Sequence, residues 1–86
     1  MKVAVVILNY NGRKMLEQFL PSVVKYTPEY AQVVIADNAS TDDSLSFLAQ
    51  SYPYLRTVVL DKNYGFAEGY NRAIREVEAD YILLLN

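Results

Sequence analysis

The chain contains no cysteine and no histidine. Without cysteine it can form neither a disulfide nor a thiolate metal site, and nothing marks its redox compartment. Without histidine it lacks the commonest general base near neutral pH and the commonest zinc ligand. Basic charge is also scarce. Eight Lys and Arg stand against ten Asp and Glu, for a net charge of −2, and the basic residues are scattered singly. That pattern excludes the basic footprint of a nucleic-acid binder and the polybasic patch of a membrane-surface protein, so no nucleic acid is expected as a partner. No apolar run approaches the roughly 20 residues of a membrane span. The apolar start, residues 1–8, is too short for a signal peptide and runs straight into Asn9-Tyr10-Asn11-Gly12 with no small-residue cleavage site.

What is present is apolar, periodic and regularly interrupted. With 86 residues, 52 % of them hydrophobic, the chain has enough material for one packed domain over residues 1–86 and no internal boundary. A chain of this size buries about 60–65 % of the surface its unfolded form exposes, so modest stability is expected.

Four short apolar runs alternate with three amphipathic ones. Residues 3–8 are nearly continuous and β-branched, as in a strand covered on both faces. Leu16, Phe19, Leu20, Val23 and Val24 recur at helical spacing and predict a helix over Arg13–Tyr26, with Pro21 as a point of bending. Residues 33–36 predict a second strand. A polar turn follows, in which Thr41 or Asp42 can cap a helix carrying Leu45, Leu48 and Ala49. Residues 56–60 predict a third strand, residues 65–78 a third helix and residues 80–85 a fourth strand.

The order βαβαβαβ implies a parallel sheet, and right-handed crossovers favour strand order 3-2-1-4. The first two helices would then cover one face. The third would cover the other, thinly.

In a parallel sheet every strand ends at the same edge. Asn9-Tyr10-Asn11-Gly12, Asp37-Asn38-Ala39-Ser40 and Lys62-Asn63-Tyr64-Gly65 each follow a strand directly, so they converge on one rim. Asn86 would end strand four beside strand one, where the winding reverses and open α/β sheets bind ligands. Tyr10 offers a flat ring for stacking a base. Asp37 offers an acceptor for a base N–H or a ribose hydroxyl, and Asn9, Asn11 and Asn38 add amide donors and acceptors. Gly12 and Gly65, at strand-to-helix junctions, would let a ligand approach backbone N–H groups. This set suits a nucleoside and its phosphates. It is neither a P-loop nor the three-glycine dinucleotide fingerprint. An NAD-type doubly wound domain with Asp37 on the ribose is therefore the second choice.

These segments also resemble a family. Leu8-Asn9-Tyr10-Asn11-Gly12, then Ala36-Asp37-Asn38-Ala39-Ser40-Thr41-Asp42, then Asn63-Tyr64-Gly65-Phe66-Ala67-Glu68-Gly69-Tyr70-Asn71, and last residues 79–86, are similar to four ordered motifs. Those motifs belong to the family-2 inverting glycosyltransferases of GT-A fold. The first motif's wording resembles the rhamnosyltransferase-like subset. The resemblance implies a Rossmann-like half that binds a UDP- or dTDP-sugar donor, with transfer to a glycan or lipid acceptor in cell-wall or polysaccharide biosynthesis. It implies Tyr10 stacked on the base, Asp37 on base or ribose, Ser40 shaping the turn, and Asn63, Gly65, Phe66 and Asn71 lining the donor pocket.

It further implies Mg²⁺ or Mn²⁺ in the full-length enzyme, held by Asp residues that follow the fourth strand, with the catalytic base beyond them. Neither lies within residues 1–86, so this portion is expected to be inactive alone, to bind no metal tightly and to provide no catalytic residue. Its partners would be the donor, the rest of the enzyme and, through an exposed apolar face or edge at residues 83–85, a second copy of itself. A cytoplasmic location is expected, with membrane association left open for the full-length enzyme.

Overall fold

The computed structural model describes residues 1–85. Seven elements alternate along the chain: β1 (Val3–Asn9), α1 (Arg13–Tyr26), β2 (Ala31–Asp37), α2 (Ser44–Ser51), β3 (Arg56–Val59), α3 (Gly65–Ile74) and β4 (Tyr81–Leu85). The strands form one parallel sheet in the order β3-β2-β1-β4, the topology expected from the sequence. Asn86, assigned from sequence to the end of strand four, lies outside the described residues.

Two apolar layers sandwich the sheet, because successive side chains of a strand point to opposite faces. On one face Val33 and Ile35 of β2 pack with Leu16 and Leu20 of α1 and Leu48 of α2. On the other, Ala4, Val6, Val34 and Ala36 pack with Tyr70 and Ala73 of α3 and with Val77. α1 runs unbroken through Pro21, whose ring sits on the exposed side, so the expected bend does not end the helix.

Two expectations need correction. α3 stops at Ile74 rather than Glu78. The amides of Glu76 and Val77 bond three residues back, to Ala73 and Ile74, which turns the chain early and drops Val77 onto the core. The face under α3 is also not thin, since Ala4, Val6, Val34 and Ala36 there are fully buried. The thin region is β4. Both α1 and α3 lie over the centre of the sheet, leaving Leu83 57 % and Leu84 48 % exposed on opposite faces of this edge strand. Beside it, a groove of about 450 Å³ runs between α1 and the end of β1, lined chiefly by Tyr10, Met15, Phe19, Leu20, Val23 and Leu85.

Candidate functional site

The three polar loops do meet on one rim. β1 and β2 pair in register down to Asn9 opposite Asp37, so the turns that follow both strands start side by side. The Asn38 amide N–H donates to the Asn9 carbonyl at 2.8 Å, and the Leu60 N–H donates to the Asp37 carbonyl at 2.8 Å, carrying the pairing past the strand ends.

A dense side-chain lattice then fixes the loops. Asp37 is 0 % exposed. Its Oδ1 accepts from the Asn9 amide at 2.9 Å and from the Ser40 hydroxyl at 2.8 Å, while its Oδ2 accepts from the Ser40 backbone N–H at 2.9 Å. The Ser40 hydroxyl in turn accepts from the Asn11 backbone N–H at 2.9 Å. The Asn11 side-chain oxygen accepts from the backbone N–H groups of Thr41 and Asp42, at 2.7 and 3.1 Å. A buried carboxylate is tolerated only with such partners.

None of the three helices is capped by the side chain of its own N-cap residue, which is Gly12, Asp43 or Tyr64. Neighbouring side chains supply acceptors for the open N–H groups at these helix starts. Asp42 accepts from the N–H of Arg13, the first residue of α1, at 3.2 Å, and from the N–H of Ser44, the first of α2, at 3.0 Å. Desolvation raises the Asp42 carboxyl, but the Ser44 hydroxyl and the Ser44 and Arg13 amides outweigh it and hold the group below its ordinary value. Asn38, buried at the tip of β2, accepts from the Tyr64 N–H at 3.0 Å and donates to the Gly65 carbonyl at 3.0 Å, locking the start of α3. Asn63 accepts from the Gly65 N–H at 2.8 Å. Gly65 has φ +78°, a conformation that costs a residue with a Cβ and costs glycine nothing. In this loop the Tyr64 hydroxyl donates to Asp61, which lowers the Asp61 carboxyl and raises the Tyr64 phenol. The Arg72 guanidinium lies 4.0 Å over the Tyr64 ring.

The ten residues singled out from sequence therefore divide. Asn9, Asp37 and Asn38 are buried and hold the loops to one another. Ser40 is half-buried at the hub of the lattice. Tyr10, 48 % exposed, and Asn11, Asn63, Gly65 and Phe66 present surface at the rim. Asn71 is exposed in the second turn of α3, and no hydrogen bond ties it to the rim among the described residues. Gly12 serves an internal purpose: a Cβ there would stand 2.6 Å from the Asn9 side-chain oxygen.

Sequence reasoning missed Tyr70, whose hydroxyl reaches the ends of both β1 and β4. Its place in the apolar stripe of α3 concealed a polar tip. The position of Asp42 before α2 signalled one cap; the second, on α1, depends on long-range geometry.

Among the described residues no group of three or more His, Cys, Asp or Glu is arranged to hold a metal ion. The rim acids Asp37 and Asp42 are already engaged by the donors named above, so these residues do not fit the metal that the family resemblance implies, and no chemical step is derived through one. No helix among the described residues is long and apolar enough to cross a membrane.

Comparison with known proteins places this geometry. The family model described as glycosyl transferase family 2 matches residues 4–86. The chain is 34 % identical over 73 residues to the N-acetylglucosaminyl-diphospho-decaprenol L-rhamnosyltransferase of Mycobacterium tuberculosis, covering 85 % of this chain and 24 % of that protein. Residues 1–349 of TarS from S. aureus, solved in complex with UDP, superpose with a TM-score of 0.82 at 28 % identity, over 99 % of this chain and 27 % of that one. The mannosyltransferase PcManGT of Pyrobaculum calidifontis, solved with GDP-Man and Mn²⁺, superposes with a TM-score of 0.76 at 26 % identity, over 94 % and 26 %. The chain thus spans about a quarter of the length of such relatives.

Proposed function

The chain belongs to glycosyl transferase family 2, and on that footing we propose that its rim is the donor-binding lip of an inverting glycosyltransferase that draws sugar from a UDP- or dTDP-sugar. The acceptor would be a glycan or lipid of the cell envelope, in keeping with the cell-wall character of relatives such as the mycobacterial rhamnosyltransferase. The observation that carries this reading is the exposed Tyr10 ring, set directly after Asn9 on a rim whose loops are already cross-linked. A base stacked on Tyr10 would lie beside Asn11, with Asn63, Gly65 and Phe66 across the crevice. Asp37, Asn9 and Asn38 would act by holding those groups in place, and Asn71 would join the pocket only if a ligand or a further segment extended down α3.

The metal and the base would come from the remaining three-quarters of a longer enzyme, as would the cover for β4. A cytoplasmic site of action fits a soluble nucleotide-sugar donor, and contact with a lipid acceptor would bring such an enzyme to the membrane. Isothermal titration with UDP and dTDP tests the reading. Binding should be measurable for the chain and should fall about tenfold or more in Tyr10→Ala, from the loss of roughly 1–3 kcal/mol of stacking. Failure of both nucleotides to bind, or equal affinity in the variant, overturns it.

A further inference from the structure

β1 and β4 pair in parallel from Val3 opposite Tyr81 to Ile7 opposite Leu85. The pairing opens with the Tyr81 N–H donating to the Lys2 carbonyl. Parallel ladders alternate donor strands at even spacing, so successive rungs run from the N–H groups of Tyr81, Leu83 and Leu85 and from those of Ala4, Val6 and Leu8. The rung due after Ile7 would join the Leu8 N–H to the Leu85 carbonyl. The Tyr70 hydroxyl stands in that place. It accepts from the Leu8 N–H at 3.3 Å and donates to the Leu85 carbonyl at 2.9 Å.

The ring that carries this hydroxyl is held firmly. Tyr70 is 3 % exposed, packed in the core with Ala4, Val6 and Ala73, and met edge-on by Phe66 with ring centroids 5.1 Å apart. α3 can bring it so close because Gly69 faces Leu8 and Asn38, where a Cβ would lie 3.0 to 3.2 Å from their side chains. A hydroxyl oxygen inserted into a rung forces the two strand ends apart while leaving both backbone groups satisfied. The insertion falls where the winding reverses, between the first and fourth strands, which is where an open α/β sheet forms its ligand crevice.

We propose that Tyr70 is a positioning residue: its hydroxyl acts as a wedge that splits β1 from β4 and sets the width of the crevice beside Asn9 and Tyr10. The inference rests on the donor-binding reading for the crevice's occupant, but not for the wedge itself. Removing the hydroxyl lets the native rung close, narrows the opening and moves Tyr10 relative to the fourth strand.

The test is nuclear magnetic resonance on the isotopically labelled chain and its Tyr70→Phe variant, with a UDP titration of each. In the variant a through-hydrogen-bond coupling should appear between the Leu8 nitrogen and the Leu85 carbonyl carbon. UDP affinity should fall about fivefold, the equivalent of one ordinary hydrogen bond. An unchanged Leu8 amide signal, or a lost hydrogen bond at Leu8 with UDP affinity intact, overturns the wedge. If neither protein binds UDP or dTDP, the donor-binding reading falls, and the Leu8–Leu85 coupling alone then decides the wedge. Should Tyr70→Phe fail to fold, fluorotyrosine incorporation into the unmutated sequence replaces it. Weakening the hydroxyl as an acceptor must shift the Leu8 amide resonance, and no shift at Leu8 overturns the proposal.

Discussion

The side chains of Asn9 and Asp37, register partners at the ends of β1 and β2, are joined by a 2.9 Å hydrogen bond, and both are buried. A carboxylate so enclosed is committed to its neighbours. Asp37→Ala should leave the Asn9 amide, the Ser40 hydroxyl and the Ser40 N–H short of an acceptor. About 1–3 kcal/mol of stability should be lost, as for other buried polar groups stripped of a partner. Urea unfolding checks this. Tyr10→Ala, by contrast, should unfold at nearly the same urea concentration as the parent chain, because half of that ring faces solvent.

Asp42 joins the starts of α1 and α2 with one carboxylate. Asp42→Ala should cost about 1–2 kcal/mol at neutral pH, in the range of a lost helix cap. The group's folded-state pKa is lowered, so its contribution is present above the ordinary carboxyl value of about 3.9 and is lost as pH falls through the folded value. Urea midpoints measured from pH 6 down to pH 2 should therefore converge for the parent chain and Asp42→Asn at the acid end, having differed at the neutral end.

Ala39 adopts φ +63° in the turn after β2, a left-handed conformation that is unfavourable for any residue with a Cβ. The strain is about 1–2 kcal/mol. Glycine's greater freedom in the unfolded chain offsets about 0.4–1 kcal/mol of the relief. Ala39→Gly should thus be more stable by about 0.5–1 kcal/mol, read from the urea midpoint at unchanged slope.

β4 is an edge strand without a charge or proline along Tyr81–Leu85, and edges of this kind invite pairing with another chain. The isolated chain should self-associate with rising concentration in sedimentation experiments. Leu83→Lys, which puts a charge on the exposed side, should shift it toward monomer. Monomer at every concentration for the parent chain would remove this expectation.

Much of the fold was legible because its signals are local. The β-branched run of β1 and the helical spacing from Leu16 to Val24 depend on neighbouring residues, and the parallel order follows from strict alternation. The end of α3 was not legible, since the apolar stripe continues to Val77 while the backbone turns at Ile74. At the rim, sequence identified which residues gather but not which of them remain available. Asp37 and Asn38 read as free polar groups beside a crevice. Only the pairing of β1 with β2, and the approach of α3, bring up the donors and acceptors that occupy them. Tyr70 was hidden for the complementary reason, because an apolar stripe in sequence does not reveal where a phenol's oxygen ends.

Because Asp42 and Asn38 fasten three helix starts to one another's loops, the lip is stiff before anything arrives. An incoming ligand would spend little of its binding free energy on freezing loose chain. Selectivity would then come from rejecting shapes that do not match a preset slot, rather than from a loop that remoulds itself around each guest.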